Sequence, residues 1–169
     1  GRMTGGTTHQ KGKLMGFNNL AEIIDFAIEK EKEAAEFYLS ISKQEQFSGK
    51  QEMLLEFSAQ ERNHQKLLES LKAGKAGKEL EGYKFKWIKD IKRSDYAVEI
   101  QYRPGMPYNE LLMLAMKREE KALKLYNEML AKAETAEQKK VFKMLCQEEA
   151  KHKLSLETIY DDYMAEMGD

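Results

Sequence analysis

The sequence predicts an all-α protein, an antiparallel four-helix bundle with one long crossover connection between helices B and C. Apolar residues recur at the period of an α-helix over four segments of about 25 residues, here called helices A to D. Only a few residues separate A from B and C from D, which favours antiparallel neighbours, whereas about 34 residues separate B from C. The two half-chains also match each other without a gap at a spacing of 88 residues.

Each predicted helix begins at residues that are typical of a cap or a first turn. Helix B should end near Lys72, because Gly74 and Gly77 follow it, and helix D should continue to about Met167. The start signals are Asn19 with Glu22 for A, Ser48 with Gln51 for B, Pro107 for C, and Thr135 with Gln138 for D.

The connection between helices B and C, residues 73 to 106, is too long for a tight turn. Its length suits a path along the outside of the bundle that returns the chain to its starting end. Tyr83, Phe85 and Trp87 alternate with lysines in a strand-like pattern, and residues 88 to 100 have room for a short helix. We expect the aromatic side chains to cover the bundle rather than to bind a ligand.

Composition excludes several classes of protein. The net charge of -1 gives no reason to expect a nucleic acid or an anionic membrane as partner. No run approaches the roughly 20 apolar residues that span a bilayer. Cys146 is the only cysteine, which excludes an internal disulfide and favours a reducing compartment, so a cytoplasmic location is expected. Residues 1–16 are expected to be a flexible tail or the remnant of a tag, and residues 17–169 the bundle domain.

Glutamate and histidine interrupt the apolar stripes at matching places in the two half-chains. Glu61-x-x-His64 in helix B and Glu149-x-x-His152 in helix D each place two side chains on one face, because residues three apart project from the same side. Helices A and C each carry one inward glutamate with a tyrosine seven residues further on. These pairs are Glu31 with Tyr38 and Glu119 with Tyr126.

Four buried carboxylates require compensation. Burying one unpaired charge costs several kcal/mol. The Lys and Arg residues are predicted to project outward, so none lies on the inward stripes to neutralise the acids. Two divalent cations are the simplest solution, because their charge of +4 matches the four glutamates. Oxygen ligands with one imidazole per ion suit iron or manganese, whereas structural zinc usually takes cysteine or more histidine. This ligand set is that of di-iron or di-manganese carboxylate bundles.

Over about residues 17 to 167 the chain resembles the ferritin-like superfamily, and most closely the rubrerythrin diiron domain. The resemblance implies that Glu31 and His64 serve one metal, Glu119 and His152 serve the other, and Glu61 and Glu149 bridge both. It also implies that two tyrosines orient the ligands from behind. The motifs that carry it are Glu31-x-x-Ala34-x-x-x-Tyr38, Glu61-x-x-His64, Glu119-x-x-Ala122-x-x-x-Tyr126 and Glu149-x-x-His152.

The same resemblance implies a homodimer with two iron ions, manganese being the alternative, that reduces hydrogen peroxide or oxygen. Two departures from the family pattern matter. Ala122 stands where rubrerythrins usually have a further glutamate, and one cysteine cannot build their rubredoxin-like iron domain with its paired Cys-x-x-Cys. Electrons are therefore expected from a separate donor, such as a rubredoxin-like protein.

Several functions are compatible with the sequence. The first is the rubrerythrin-like oxidoreductase, and the second is a ferritin-like protein that oxidises or handles iron. A protein similar to manganese catalase is the third. A bundle that keeps the geometry without activity is the fourth. Subunit number, metal content and consumption of peroxide separate them.

Overall fold

The computed structural model describes residues 19–45, 48–85, 101–103 and 105–168. The four long helices of this part correspond to predicted helices A to D, so the all-α class and the four-helix bundle are confirmed. The predicted tail, residues 1–16, lies outside the described residues, and the domain boundary after it stays a prediction. The helices are α1 (Leu20–Ser42), α2 (Ser48–Lys72), α3 (Gly77–Leu80), α4 (Tyr108–Ala131) and α5 (Ala136–Gly168).

Two helices start at the predicted caps. The Asn19 side chain accepts a hydrogen bond from the backbone N–H of Glu22 at 2.9 Å. At the start of α5 the bonds are reciprocal: the Thr135 hydroxyl accepts from the Gln138 N–H at 3.0 Å, and the Gln138 side chain accepts from the Thr135 N–H at 3.1 Å. These bonds satisfy N–H groups that have no partner within the helix.

The other two starts differ slightly from the prediction. Ser48 is already helical, and the Gln51 side chain donates to the carbonyl oxygen of Ser42 at 3.0 Å instead of closing a capping pair. This bond ties the start of α2 to the end of α1. Pro107 occupies the N-cap position, one residue before α4, rather than the first turn. Gly77 begins the short helix α3 instead of ending α2.

Gly74 ends α2, as predicted. Its φ of 73° lies in the left-handed region that glycine adopts without steric cost. The Lys75 N–H bonds back to the Ser70 carbonyl at 2.7 Å and the Gly74 N–H to the Leu71 carbonyl at 3.0 Å. This pair of bonds is the Schellman arrangement, which satisfies the last carbonyls of the helix.

Neighbouring helices run antiparallel. For α1 and α2, the Gln51–Ser42 bond lies at one end and the Lys72–Asp25 ion pair, at 2.6 Å, lies at the other. Tyr108, the first residue of α4, donates to Glu45 just beyond the end of α1. Helix α4 therefore begins at the end of the bundle opposite to the end where α2 finishes. The path of the crossover includes residues 86–100, which lie outside the described residues, so the crossover itself stays a prediction.

The first part of the connection, as far as residue 85, lies against α5. The Tyr83 hydroxyl donates to Glu148 at 2.8 Å and accepts from the Gln147 side chain at 2.7 Å, and its ring contacts Phe85 edge to face. Tyr83 thus covers the bundle, as expected. Residues 83–85 form no strand, so the strand-like interpretation is wrong there. Tyr83 is half-buried, whereas Phe85 is 39% exposed and contacts α5 through Lys143, whose ammonium group lies 5.3 Å from the centre of its ring. Trp87 and residues 88–100 fall outside the described residues.

Two apolar clusters fill the two ends of the bundle. One contains Ile24, Leu68, Tyr126 and Phe142, and the other contains Ile41, Leu54, Leu112 and Leu156. No helix among the described residues is long and apolar enough to cross a membrane. The four glutamates and two histidines are buried in the same helices, at positions between the residues of the two clusters.

Candidate metal centre

All six predicted ligands are buried at one level of the bundle. Their residues retain only 1 to 3% of their surface, although glutamate is almost never fully buried unless it is paired. Each of the four long helices contributes, α1 and α4 with one glutamate and α2 and α5 with a glutamate and a histidine. The residues are Glu31, Glu61, His64, Glu119, Glu149 and His152.

Two overlapping groups of four could each hold a metal ion. In either group the potential ligand atoms lie within 4.8 Å of one another. Glu61 and Glu149 belong to both groups, whereas each remaining side chain belongs to one. The first group is completed by Glu31 and His64, and the second by Glu119 and His152. This is the division of the side chains that the family resemblance implies.

The inner nitrogen of each imidazole points at the acids. His64 Nδ1 lies 2.8 Å from Glu149 Oε1, 3.2 Å from Glu61 Oε1 and 3.5 Å from Glu31 Oε2. His152 Nδ1 lies 3.1 Å from Glu61 Oε1 and 3.5 Å from a Glu119 oxygen. Several oxygens thus lie close to one nitrogen, and a single N–H hydrogen cannot form a hydrogen bond with all of them.

The donor atoms of this cluster fit a pair of cations. Among the described residues, the buried side-chain atoms without a hydrogen bond are one atom from each of the six predicted ligands and no others. The nitrogen–oxygen distances are short, but these pairs do not have the geometry of a hydrogen bond. A buried polar atom without a partner costs about 1–3 kcal/mol. Carboxylate oxygens and imidazole nitrogens around one point are the ligands that iron and manganese take.

Burial and mutual repulsion perturb the acids. Burial first, then the charges of Glu31 and Glu119, raises the pKa of Glu61 well above its usual range. Burial and the same kind of repulsion, chiefly from Glu119, raise the pKa of Glu149. Burial alone would lower the pKa of His64, but the charge of Glu31 and the other acids outweighs it and raises that pKa. Metal ligands must be deprotonated, so a cation that binds here displaces protons.

Two tyrosines link the half-chains across the site. The Tyr38 hydroxyl of α1 donates to Glu119 of α4, and the Tyr126 hydroxyl of α4 donates to Glu31 of α1. Both tyrosines are buried, at 1% exposure. Burial is the first cause that raises the pKa of each hydroxyl, so both remain protonated donors. Each bond occupies one oxygen of a carboxylate, and the other oxygen has no hydrogen bond.

Sequence reasoning missed the partners of the outer imidazole nitrogens. His152 Nε2 lies 2.5 Å from Gln60 Oε1, and His64 Nε2 lies 3.8 Å from Glu148 Oε1. Gln60 and Glu148 immediately precede the two Glu-x-x-His motifs. They also occupy matching positions of the 88-residue repeat. Their matching positions could have indicated a shared role beside the histidines, but the two residues differ in type, so the repeat does not draw attention to them.

One expectation about compensating charges is wrong. Lys153 is buried at 3% exposure, although the inward stripes were predicted to lack basic residues. Its ammonium group pairs with Glu120 at 3.1 Å and with Glu157 at 3.8 Å, between α4 and α5. Lys153 follows His152 directly, so it lies about 100° round α5 from that residue, on the side that meets α4.

A cavity of about 780 Å³ extends from the acids to the surface between α1 and α4. Ala34 and Ala122, which lie one turn beyond Glu31 and Glu119, form part of its wall. Arg118 also lines it, with the guanidinium 4.4 Å from the centre of the Phe37 ring. The small side chains leave the carboxylates accessible to a small molecule. The other basic residues of the lining are Lys30, Lys121 and Lys124.

Comparisons with known proteins agree with this geometry. A family model described as Rubrerythrin matches residues 22–160. Among solved structures, a hypothetical protein from Pyrococcus furiosus is similar, with a TM-score of 0.66 and 22% sequence identity. The match covers 87% of this chain and 91% of that chain, and at this identity it indicates the shared fold alone. No curated protein matches the sequence.

Proposed function

Because the chain belongs to the rubrerythrin family, we propose that it is a di-iron oxidoreductase that reduces hydrogen peroxide or oxygen with electrons from a separate donor. The observation that supports this most strongly is the convergence of six buried ligand atoms that lack hydrogen bonds. A structural role for the same residues would leave about 1–3 kcal/mol per atom uncompensated.

The proposed ligand assignment follows the two overlapping groups. Glu31 and His64 would hold one iron ion, and Glu119 and His152 would hold the other. Glu61 and Glu149 would contribute to both sites, since they are the members that the two groups share. Manganese is the alternative metal, because the same hard oxygen ligands accept it.

A bound pair of ferrous ions would supply two electrons for cleavage of the O–O bond of hydrogen peroxide, which would take up two protons and leave as two water molecules. The chain contributes orientation. Tyr38 holds one oxygen of Glu119 and Tyr126 holds one oxygen of Glu31, so the second oxygen of each carboxylate would be available to an ion. The cavity beside Ala34 and Ala122 gives a small oxidant access, and the apolar ends of the bundle exclude water from the other sides.

Electrons for a second turnover require a separate iron–sulfur or similar redox centre. Cys146 is the only cysteine of the sequence, and a rubredoxin-type iron site requires four cysteine ligands. We therefore propose a rubredoxin-like protein as the electron donor. A homodimer is the proposed assembly, on the family resemblance.

The test has two parts. Protein purified without chelator is analysed for metals, and its ferrous form is then mixed rapidly with peroxide and, separately, with oxygen. We expect two iron ions per chain and oxidation of both by one equivalent of peroxide. Glu31→Gln should reduce the iron content, and Glu36→Gln, an exposed substitution on the same helix, is its matched control and should leave both results unchanged.

Each other outcome favours a different function. A many-subunit cage that retains oxidised iron would favour iron handling. Manganese with release of oxygen from peroxide would favour the catalase-like function. Protein that binds two ions but reacts with neither oxidant would show an inactive bundle, and protein that binds no metal would contradict the metal centre itself.

A further inference from the structure

The outer nitrogens, Nε2, of the two histidines have different partners. Gln60 and Glu148 occupy matching positions of the repeat, each directly before a glutamate shared by both groups. Gln60 of α2 faces His152 of α5, and Glu148 of α5 faces His64 of α2. One imidazole is thus backed by a neutral amide and the other by a carboxylate, although the inner ligands of the two sites are of the same types.

Gln60 is held in a defined orientation. Its amide nitrogen donates to Glu56 at 3.3 Å, which leaves the amide oxygen to face His152 Nε2 at 2.5 Å. When His152 Nδ1 binds a cation, Nε2 carries the hydrogen and donates it to this oxygen. The Phe57 ring stacks on the imidazole, with 4.2 Å between ring centres, and keeps its plane in place.

Glu148 is also held, but as an anion. One of its oxygens accepts from the Tyr83 hydroxyl at 2.8 Å and from Lys151 at 2.9 Å, and the other lies 3.8 Å from His64 Nε2. This last distance is an ion-pair distance and too long for a hydrogen bond. The Lys151 side chain is 49% exposed and that of Glu148 only 16%, so water screens the lysine more than the carboxylate.

A carboxylate behind a metal-bound imidazole strengthens that ligand. It stabilises the positive charge that the imidazole acquires when Nδ1 donates its electron pair to a cation. A full charge still acts across 3.8 Å in a buried site, whereas a neutral amide acts only through its dipole. The shorter contact and the stacked ring of His152 improve orientation, but they add no charge. The charge of Glu148 therefore outweighs the better orientation of His152, and His64 should be the stronger ligand.

We infer that the two metal sites differ in affinity, and that the site of His64, backed by Glu148, fills before the site of His152. This inference rests on the proposed metal centre. Glu148 and Gln60 act as positioning residues, because they touch the ligands and not the ions. Outer partners of metal ligands typically change affinity by about 10–100-fold, and we expect a difference of about tenfold between the two sites.

The inference can be tested with Co²⁺ as a stable substitute for ferrous iron. Crystals of the chain are grown with one equivalent of Co²⁺, and anomalous scattering gives the occupancy beside each histidine. We expect severalfold higher occupancy beside His64. Calorimetric titration in solution should show two successive binding steps. Glu148→Gln should bring the two occupancies close to equality.

A charge-conserving exchange provides the matched control. The double variant Glu148→Gln with Gln60→Glu keeps the net charge and should reverse the preference towards His152. Lys151→Gln removes the cation that partly neutralises Glu148 and should increase the preference for His64, which keeps the test decisive if Glu148→Gln does not fold.

Contrary results are distinguishable. Two bound cobalt ions with equal occupancy in the unchanged chain would overturn the inference and leave the metal centre intact. A preference that survives Glu148→Gln would also overturn it, because the carboxylate would then not be its cause. Absence of cobalt from both positions would overturn the metal centre and the inference together.

Discussion

Replacement of a shared glutamate should change stability in opposite directions with and without metal. In the metal-free chain, Glu61→Gln removes a carboxylate whose neighbours Glu31, Glu119 and Glu149 place an oxygen within 4.8 Å of it. Two unit charges 4.8 Å apart repel by about 3.5 kcal/mol at an effective dielectric constant of about 20. With metal present, the same substitution would remove an oxygen ligand that we propose serves both ions, and it should lower the melting temperature.

The net gain in the metal-free chain is smaller than this repulsion. The acids take up protons, and the two histidines, whose pKa values are raised, supply some positive charge. Neutral replacement of buried ionic groups has stabilised proteins by about 1–4 kcal/mol. At roughly 2–4 °C per kcal/mol for a chain of this size, we expect the melting temperature of Glu61→Gln without metal to rise by several degrees.

The pH dependence checks the cause. The pKa of Glu61 is raised in the folded state, so its ionisation opposes folding only above the unfolded pKa of about 4.3. Below that pH the carboxyl group is neutral in both states and the substitution should bring no gain. As pH rises beyond this value, the stability advantage of the Glu61→Gln variant over the unchanged chain should grow, and it should level off above the folded pKa.

Melting followed by circular dichroism measures all of these effects, with chelator and with excess Fe²⁺ under anaerobic conditions. The exposed substitution Glu52→Gln, on the same helix, is the control and should change little. A metal-free Glu61→Gln that melts below the unchanged chain at neutral pH would refute the reasoning, because the carboxylates would then not destabilise the fold.

Three further predictions concern other parts of the structure. Glu31→Ala should leave one tightly bound ion by elemental analysis, whereas Glu149→Ala should leave none, and equal losses would contradict the shared role of Glu149. Tyr126→Phe removes the hydrogen bond to Glu31 and should weaken metal binding by about 10–100-fold in calorimetry, whereas Tyr163→Phe should not. Gly74→Ala must hold a φ of 73° and should lower the free energy of unfolding in urea by about 1–2 kcal/mol, although no atom lies within 4 Å of the added methyl group.

The fold and the clustering of the six candidate ligands could be predicted from the sequence, because the apolar spacing and the motifs both repeat. Apolar spacing defined four helices, and the motifs of His64 and His152 lie at the same register in the two halves. The difference between the outer partners of the two histidines, Gln60 and Glu148, was not predicted. The repeat was recognised from identical residues at matching positions, and these two residues are not identical.

Features that depend on contacts between distant segments were also missed. The burial of Lys153 depends on Glu120 of α4, a residue 33 positions away in sequence. The strand-like alternation at Tyr83 reflects packing of one side against α5, which periodicity does not separate from a strand. The observed starts of α2 and α4 differ from the predicted ones by one residue. At α2, the Gln51 side chain bonds to the Ser42 carbonyl of the preceding helix instead of forming a cap.

The bonds of Tyr38 and Tyr126 run from each half-chain to the glutamate of the other. Each group of ligands likewise takes three members from one half and the fourth from the opposite half. Neither helix pair, α1 with α2 or α4 with α5, therefore contains all four residues of either group. Binding of two ions would therefore require the two halves to pack in register, and a slip of one helical turn between them would separate each tyrosine from its glutamate.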